Sequence, residues 1–116
     1  MAAYVVWMDQ THAKLFKLLP GAKIQEKHVK EHGHEHGKDH THYYHDVADQ
    51  MKDASEILLV GPGMGKEHFK KYLETHHQKQ LLTKVVGTES MDHPTENQII
   101  AHARKFFRAK DLFEGM

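Results

Sequence analysis

Ile57-Leu58-Leu59-Val60-Gly61-Pro62-Gly63-Met64-Gly65-Lys66-Glu67-His68-Phe69 is the stretch on which the fold turns. Four consecutive aliphatic residues predict a strand buried in the sheet. Three glycines and a proline then stop it. Phe69, Tyr72, Leu73 and His76 follow on one face of a helix. Strand, glycine-rich turn and helix in that order is where an α/β protein can cradle a phosphate. The spacing departs from both nucleotide motifs. A Walker A loop has four residues between its first glycine and Gly-Lys, whereas Gly61 and Gly65 enclose three. Glu67 stands where a Ser or Thr would bind magnesium, and Lys66 occupies the third glycine position of the dinucleotide pattern. These departures argue against NTP hydrolysis. A tight strand-to-helix turn remains, with contact from Lys66 and the helix N-terminus to a single RNA phosphate as the alternative.

Toward the N-terminus, Tyr4-Val5-Val6-Trp7-Met8 predicts a second buried strand, and Asp9-Gln10-Thr11 has turn chemistry. Ala13, Leu15, Phe16 and Leu18 then form a strand with Lys14 and Lys17 facing out. Pro20-Gly21 punctuates the chain before a third strand over 22–29, anchored by Ile24 and Val29. The opening is a three-stranded meander. Toward the C-terminus, Tyr44, Val47, Ala48 and Met51 predict a helix reaching about residue 54, and Val85-Val86 a further strand. A last helix starts at Pro94 with Asp92 or His93 as its cap, and buries Ile99, Ile100, Ala103, Phe106 and Phe107. Its tail, 111–116, is expected to fray. The order is β-β-β-α-β-α-β-α: one α/β domain over 1–110, a mixed sheet of about five strands covered by helices.

Composition narrows the function classes. With 116 residues there is room for one domain. Cysteine is absent, which removes thiolate nucleophiles, disulfides and every cysteine-containing metal centre. Sixteen basic residues balance sixteen acidic ones, so no overall positive field would coat nucleic acid. No apolar run approaches the ~20 residues of a membrane span. The N-terminus lacks the basic segment of a signal peptide. A cytoplasmic protein without membrane contact is expected.

Histidine is the anomaly. Of 13, seven crowd between residues 28 and 45: His28, His32, His34, His36, His40, His42 and His45. Apolar residues vanish over 30–42, and Gly33 and Gly37 add freedom, so a long connecting loop is expected. Neutral imidazole binds zinc, copper and nickel near neutral pH. His32, His34, His36, His40, His42 and His45 are the candidate metal ligands, with Glu31, Glu35 and Asp39 as added oxygen donors. Such a loop would hold metal loosely and exchangeably, and no required cofactor is expected. Three readings compete: a solvated loop with incidental metal affinity, a metal or pH sensor, and a polar contact for RNA or protein.

Catalysis has less support. Asp9, ending the first strand, could begin a two-metal nuclease site, with Asp46, Asp49, Glu89 or Asp92 as partners. The ordinary alternative is a turn cap. Ser55 and Ser90 are the only serines, and neither lies in a nucleophile elbow. The polar segment 88–96 reads as helix capping or as a binding patch around Asp92 and His93. Lys66, Lys70 and Lys71 on one helix, with Arg104, Lys105 and Arg108 on another, could form a phosphate-binding stripe.

Taken together, the opening strand ending near an Asp, the long loop after the third strand, and the run from Gly61-Pro62-Gly63 through Lys66-Glu67 to Phe69 resemble the middle domain of archaeal and eukaryotic peptide-chain release factors and of Pelota. The likeness spans about residues 4–107, and small stand-alone bacterial proteins of this type look like near relatives. It implies the ribonuclease H-like fold of translational machinery components. Release factors carry Gly-Gly-Gln in the long loop; this sequence has none, and the histidine-rich segment stands in its place. The resemblance therefore implies a small translation-associated accessory protein that binds the ribosome or structured RNA without releasing peptides. The alternatives are a histidine-rich metal-binding protein and a metal-dependent nuclease.

Overall fold

The computed structural model describes residues 2–19, 24–30, 41–76 and 78–114, without the side chains of 111–114. Five strands form one sheet: β1 (Ala2–Met8), β2 (His12–Leu18), β3 (Ile24–Lys30), β4 (Ala54–Gly61) and β5 (Val85–Ser90). Their order across it is β3-β2-β1-β4-β5. β1, β2 and β3 are an antiparallel meander, whereas β1, β4 and β5 run parallel. Helices α1 (Thr41–Asp49), α2 (Gly65–Thr75), α3 (Lys79–Leu82) and α4 (Glu96–Glu114) complete the chain. This is the mixed α/β domain the sequence predicts, with α3 as a short addition.

The two central strands are apolar along their length because helices cover both sides. Tyr4, Val6 and Met8 of β1, with Ile57 and Leu59 of β4, face a core closed by α1, α2 and α3. Val5, Trp7, Leu58 and Val60 face the opposite core, closed by α4 through Ile99, Ala103 and Phe107. Successive strand residues point to opposite faces, so a doubly covered strand cannot alternate polar with apolar.

Several boundaries differ from expectation. The first helix begins at Thr41 and ends at Asp49, so Ala54 already opens β4. The last helix reaches Glu114 rather than fraying after residue 110. Neither Asp92 nor His93 caps it. Thr95 does: its hydroxyl accepts the Gln98 amide at 3.1 Å, while the Gln98 side-chain oxygen accepts the Thr95 amide at 2.8 Å. This is a reciprocal capping box, with Pro94 one position outside it.

Lys14 and Lys17 do not simply face out. Each is half-buried, one on each face of β2. Lys14 Nζ lies 5.9 Å from the Trp7 ring centroid. Lys17 Nζ lies 2.5 Å from Asp53 Oδ2, and Tyr4 Oη donates to Asp53 Oδ1 at 2.7 Å. The Lys17 bond, then the Tyr4 bond, holds the Asp53 carboxyl below its ordinary range. A carboxyl depressed by folding stabilises the fold above its unfolded pKa of about 4, and that contribution fades as pH falls through the lower folded value. Asp53 is half exposed, which limits the effect to about 1 kcal/mol. Urea midpoints of wild type and Asp53→Asn should therefore differ near pH 7 and converge as pH falls below about 4. A difference that persists undiminished at the acid end would refute this.

Candidate functional site

The carboxyl ends of parallel strands are where an α/β sheet exposes convergent backbone and loops. Here β1 ends in Met8, β4 in Gly61 and β5 in Ser90. β3 runs parallel to β1 across the meander, and its last residue, Lys30, stands opposite His12 beside the β1–β2 turn. The Tyr43 hydroxyl in the first turn of α1 donates to Asp9 O at 2.9 Å. Both ends of the chain between β3 and α1 are thus anchored at this edge, beside the glycine turn.

The turn is built by close backbone approach. A Cβ at Gly61 would lie 2.0 Å from Met8 O, and one at Gly65 would lie 2.9 Å from the Asp9 carbonyl carbon. Gly61 also has φ +145°, and Gly63 φ +60°, where side chains are disfavoured. Glycine lets the turn lie against the end of β1. Lys66 then closes it from within. Its side chain is buried, and Nζ donates to Gly61 O at 2.7 Å and to Gly63 O at 3.0 Å. The Met91 amide donates to Gly61 O at 3.1 Å, tying the β5 exit to the same carbonyl. Trp7 Nε1 adds bonds to Met91 O at 3.2 Å and Asp92 O at 3.0 Å.

This arrangement corrects the expected placement of Lys66. It does not lie on the exposed side of α2 with Lys71; its ammonium satisfies the turn's own carbonyls. The turn and the Asp9-Gln10-Thr11 hairpin line a depression of about 330 Å³, from which Met64 projects 56 % exposed. Among the described residues its lining contains no cationic side chain and one acidic one, Asp9. The tight-turn reading therefore describes Gly61–Gly65 better than a phosphate cradle does.

Asp9 is likewise occupied by local structure. Its Oδ1 accepts the amides of Thr11 at 2.8 Å and His12 at 2.7 Å, which makes it the hairpin's cap. Asp46, Asp49, Glu89 and Asp92 do not gather with it. Among the described residues the metal-compatible group is Glu26, His28 and Glu96. The His28 imidazole, bonded to Glu26 at 2.5 Å, is the main cause holding the Glu26 carboxyl below its usual range.

The proposed basic stripe is divided. α2 and α4 pack on opposite faces of the sheet, so Lys70 and Lys71 do not share a surface with Arg104, Lys105 and Arg108. Lys70 reaches across to the β5 Thr88 hydroxyl at 3.3 Å and pairs with Glu67 at 3.2 Å. Lys71, Lys105 and Arg108 are exposed. Of the candidate metal ligands, His42 and His45 are exposed on α1, whereas His32, His34, His36 and His40 lie outside the described residues. Sequence reasoning missed the internal role of Lys66, although Gly-Pro-Gly turned back onto a strand leaves carbonyls that need a donor. It also missed Glu26 with Glu96, which the sequence separates by seventy positions and the fold brings together.

These features define a mixed five-stranded α/β domain with a glycine turn sealed against its first strand. No protein-family model matches the chain. In sequence the chain is similar to the Pelota homologue of Methanococcus aeolicus, with 32% identity over 102 residues, covering 77% of this chain and 27% of that protein. In fold it is similar to the Pelota protein of Thermoplasma acidophilum, with a TM-score of 0.63 at 22% identity over 84% of this chain and 30% of that one. It is also similar to the archaeal translation termination factor aRF1, with a TM-score of 0.64 at 14% identity over 97% of this chain and 40% of that one. The resemblance read from the sequence is borne out: the chain is Pelota-like in sequence and has the fold of a domain that Pelota and the archaeal release factor share. It spans about a quarter of the length of the Pelota homologue it matches.

Proposed function

We propose that this chain is a translation-associated accessory module that binds the ribosome or structured RNA and does not release peptides. The observation that carries the reading is the similarity to a Pelota homologue over 102 residues. The absence of Gly-Gly-Gln from the whole sequence supports the second half. β3 ends beside the β1–β2 turn and Tyr43 of α1 bonds to Asp9 there, which supports a partner contact at this edge. On the opposite core's outer side, α4 carries Lys105 and Arg108, both exposed, with the half-buried Arg104 beside them, as the phosphate contacts of this reading.

Ribosome co-sedimentation tests this, with and without zinc, on wild type and on a chain with His32, His34, His36 and His40 replaced. Wild type is expected to pellet with ribosomes. Arg104→Glu with Arg108→Glu should weaken pelleting by about tenfold and lower its salt slope by roughly one per lost phosphate contact. Wild type that stays in the supernatant at low salt refutes the reading. Unchanged binding by the double variant removes α4 from it.

A metal-binding role is the second reading, favoured by the seven histidines between 28 and 45. Zinc retention through gel filtration, together with ribosome binding indifferent to the histidines, would favour it over the first.

A further inference from the structure

Away from the glycine turn, a strand and a helix bring together side chains that nothing in the fold requires. Glu26 and His28 stand two apart on β3, so both project from one face of the sheet. They are registered opposite Phe16 and Lys14, which places them on the α4 side. Glu96 arrives from the first turn of α4. His28 Nε2 lies 2.5 Å from Glu26 Oε2 and 3.8 Å from Glu96 Oε2, and the three ligand atoms lie within 4.8 Å of one another.

Two carboxylates converging from separate elements repel each other. Helix capping does not explain the approach, because Thr95 and Gln98 already cap α4. Confinement does not explain it either: the side chains of Glu26, His28 and Glu96 are 37 %, 51 % and 41 % exposed, and each has room to turn into water. The imidazole sits where a charge-neutralising group is needed, with the Lys14 ammonium as a further positive charge acting on Glu26. An imidazole ring nitrogen without its proton offers a lone pair to a metal.

We propose that Glu26, His28 and Glu96 bind a divalent transition-metal ion of the zinc class, with water completing its coordination, and that the ion ties β3 to the start of α4. One imidazole nitrogen and two carboxylate oxygens are ordinary zinc donors, bonding at about 2.0–2.2 Å. Tetrahedral donors at that radius stand about 3.3 Å apart. The present spacings bracket that value, and half-exposed side chains reach it by small torsional shifts. The open side gives the ion its entry path and leaves positions for water. This site is distinct from the histidine-rich segment, since two of its three ligands are carboxylates on regular secondary structure. It also stands independently of ribosome binding.

The test titrates zinc chloride into the full chain carrying Asn at His32, His34, His36, His40, His42 and His45, so that His28 is the remaining histidine of that stretch. Calorimetry should show about one equivalent bound at micromolar zinc, with the His28 imidazole signal shifting in NMR at the same ratio. In that background Glu96→Gln should weaken binding at least tenfold, and His28→Asn should abolish it. Circular dichroism should be unchanged, because all three side chains are on the surface. The His28 signal in the chain with its histidines intact supplies the same readout without the background substitutions. The proposal is overturned if the background chain binds no zinc, or if Glu96→Gln leaves binding unchanged. It is equally overturned if the His28 signal follows pH but ignores zinc, which would make the cluster an ion pair.

Discussion

Gly61→Ala is expected to cost more stability than alanine at any other described glycine. The new Cβ would stand 2.0 Å from the carbonyl oxygen of Met8, far inside van der Waals contact. The obstacle is backbone in the central strand of the sheet, so no side chain can swing aside. β4 would have to separate from β1 where the two strands pair through Val60 and Trp7. The φ of +145° adds the strain of a region reserved for glycine, about 1–3 kcal/mol. Displacing Gly61 also disturbs the carbonyl that Lys66 and Met91 share. A loss of about 4 kcal/mol or more is expected, a large part of the roughly 5–15 kcal/mol of an ordinary domain. Gly63→Ala is the internal control. It has left-handed φ but nothing within 4 Å of its Cβ, so about 1 kcal/mol is expected. Urea unfolding compares them, and equal midpoints would contradict the close-approach argument.

Lys66→Met should be the second most damaging change. Methionine keeps most of the buried stem but removes the ammonium and its bonds to Gly61 and Gly63. Gly61 O keeps the Met91 amide; Gly63 O must turn to water, and the turn loosens. Charge-assisted bonds to neutral carbonyls contribute about 1.5–3 kcal/mol, and a loss of about 2–3 kcal/mol is expected. Lys66→Arg should not rescue it, because a planar guanidinium does not fit a site shaped for one ammonium. The same variant separates two roles for this residue. As an internal clamp it leaves ribosome pelleting unchanged at temperatures where the variant is folded. As a phosphate contact it would weaken pelleting and leave the urea midpoint in place. The first outcome is expected, since Lys66 is buried.

The two glycines show why close approach resists sequence reading. Gly61 and Gly63 look alike in a Gly-Pro-Gly run, yet one touches β1 and the other faces open space. Which is which depends on where a strand fifty residues earlier happens to lie. Asp9 illustrates the easier case. Its bonds to Thr11 and His12 span three positions, so the hairpin cap was legible from local chemistry. The capping box at Thr95 and Gln98 was legible too, but a proline beside it drew the expected cap two or three positions early.

Periodicity and turn residues determined the element order apart from the short α3, the meander, the doubly covered β1 and β4, and the apolar face of α4. These follow from short-range rules: side-chain alternation, helical spacing, and the conformations of glycine and proline. The departure from nucleotide-binding motifs and the absence of Gly-Gly-Gln were equally open to reading, because a motif is local. Tertiary structure decided the rest. It divided the basic residues between opposite sheet faces, because α2 and α4 follow parallel strands but cover different cores. It turned Lys66 inward, because the carbonyls of a turn folded against β1 take its ammonium as donor. It also brought Glu96 to His28, because the first turn of the chain's last helix meets the face of an edge strand formed near its beginning. Charge and spacing along a chain carry no information about such a meeting until the sheet is assembled.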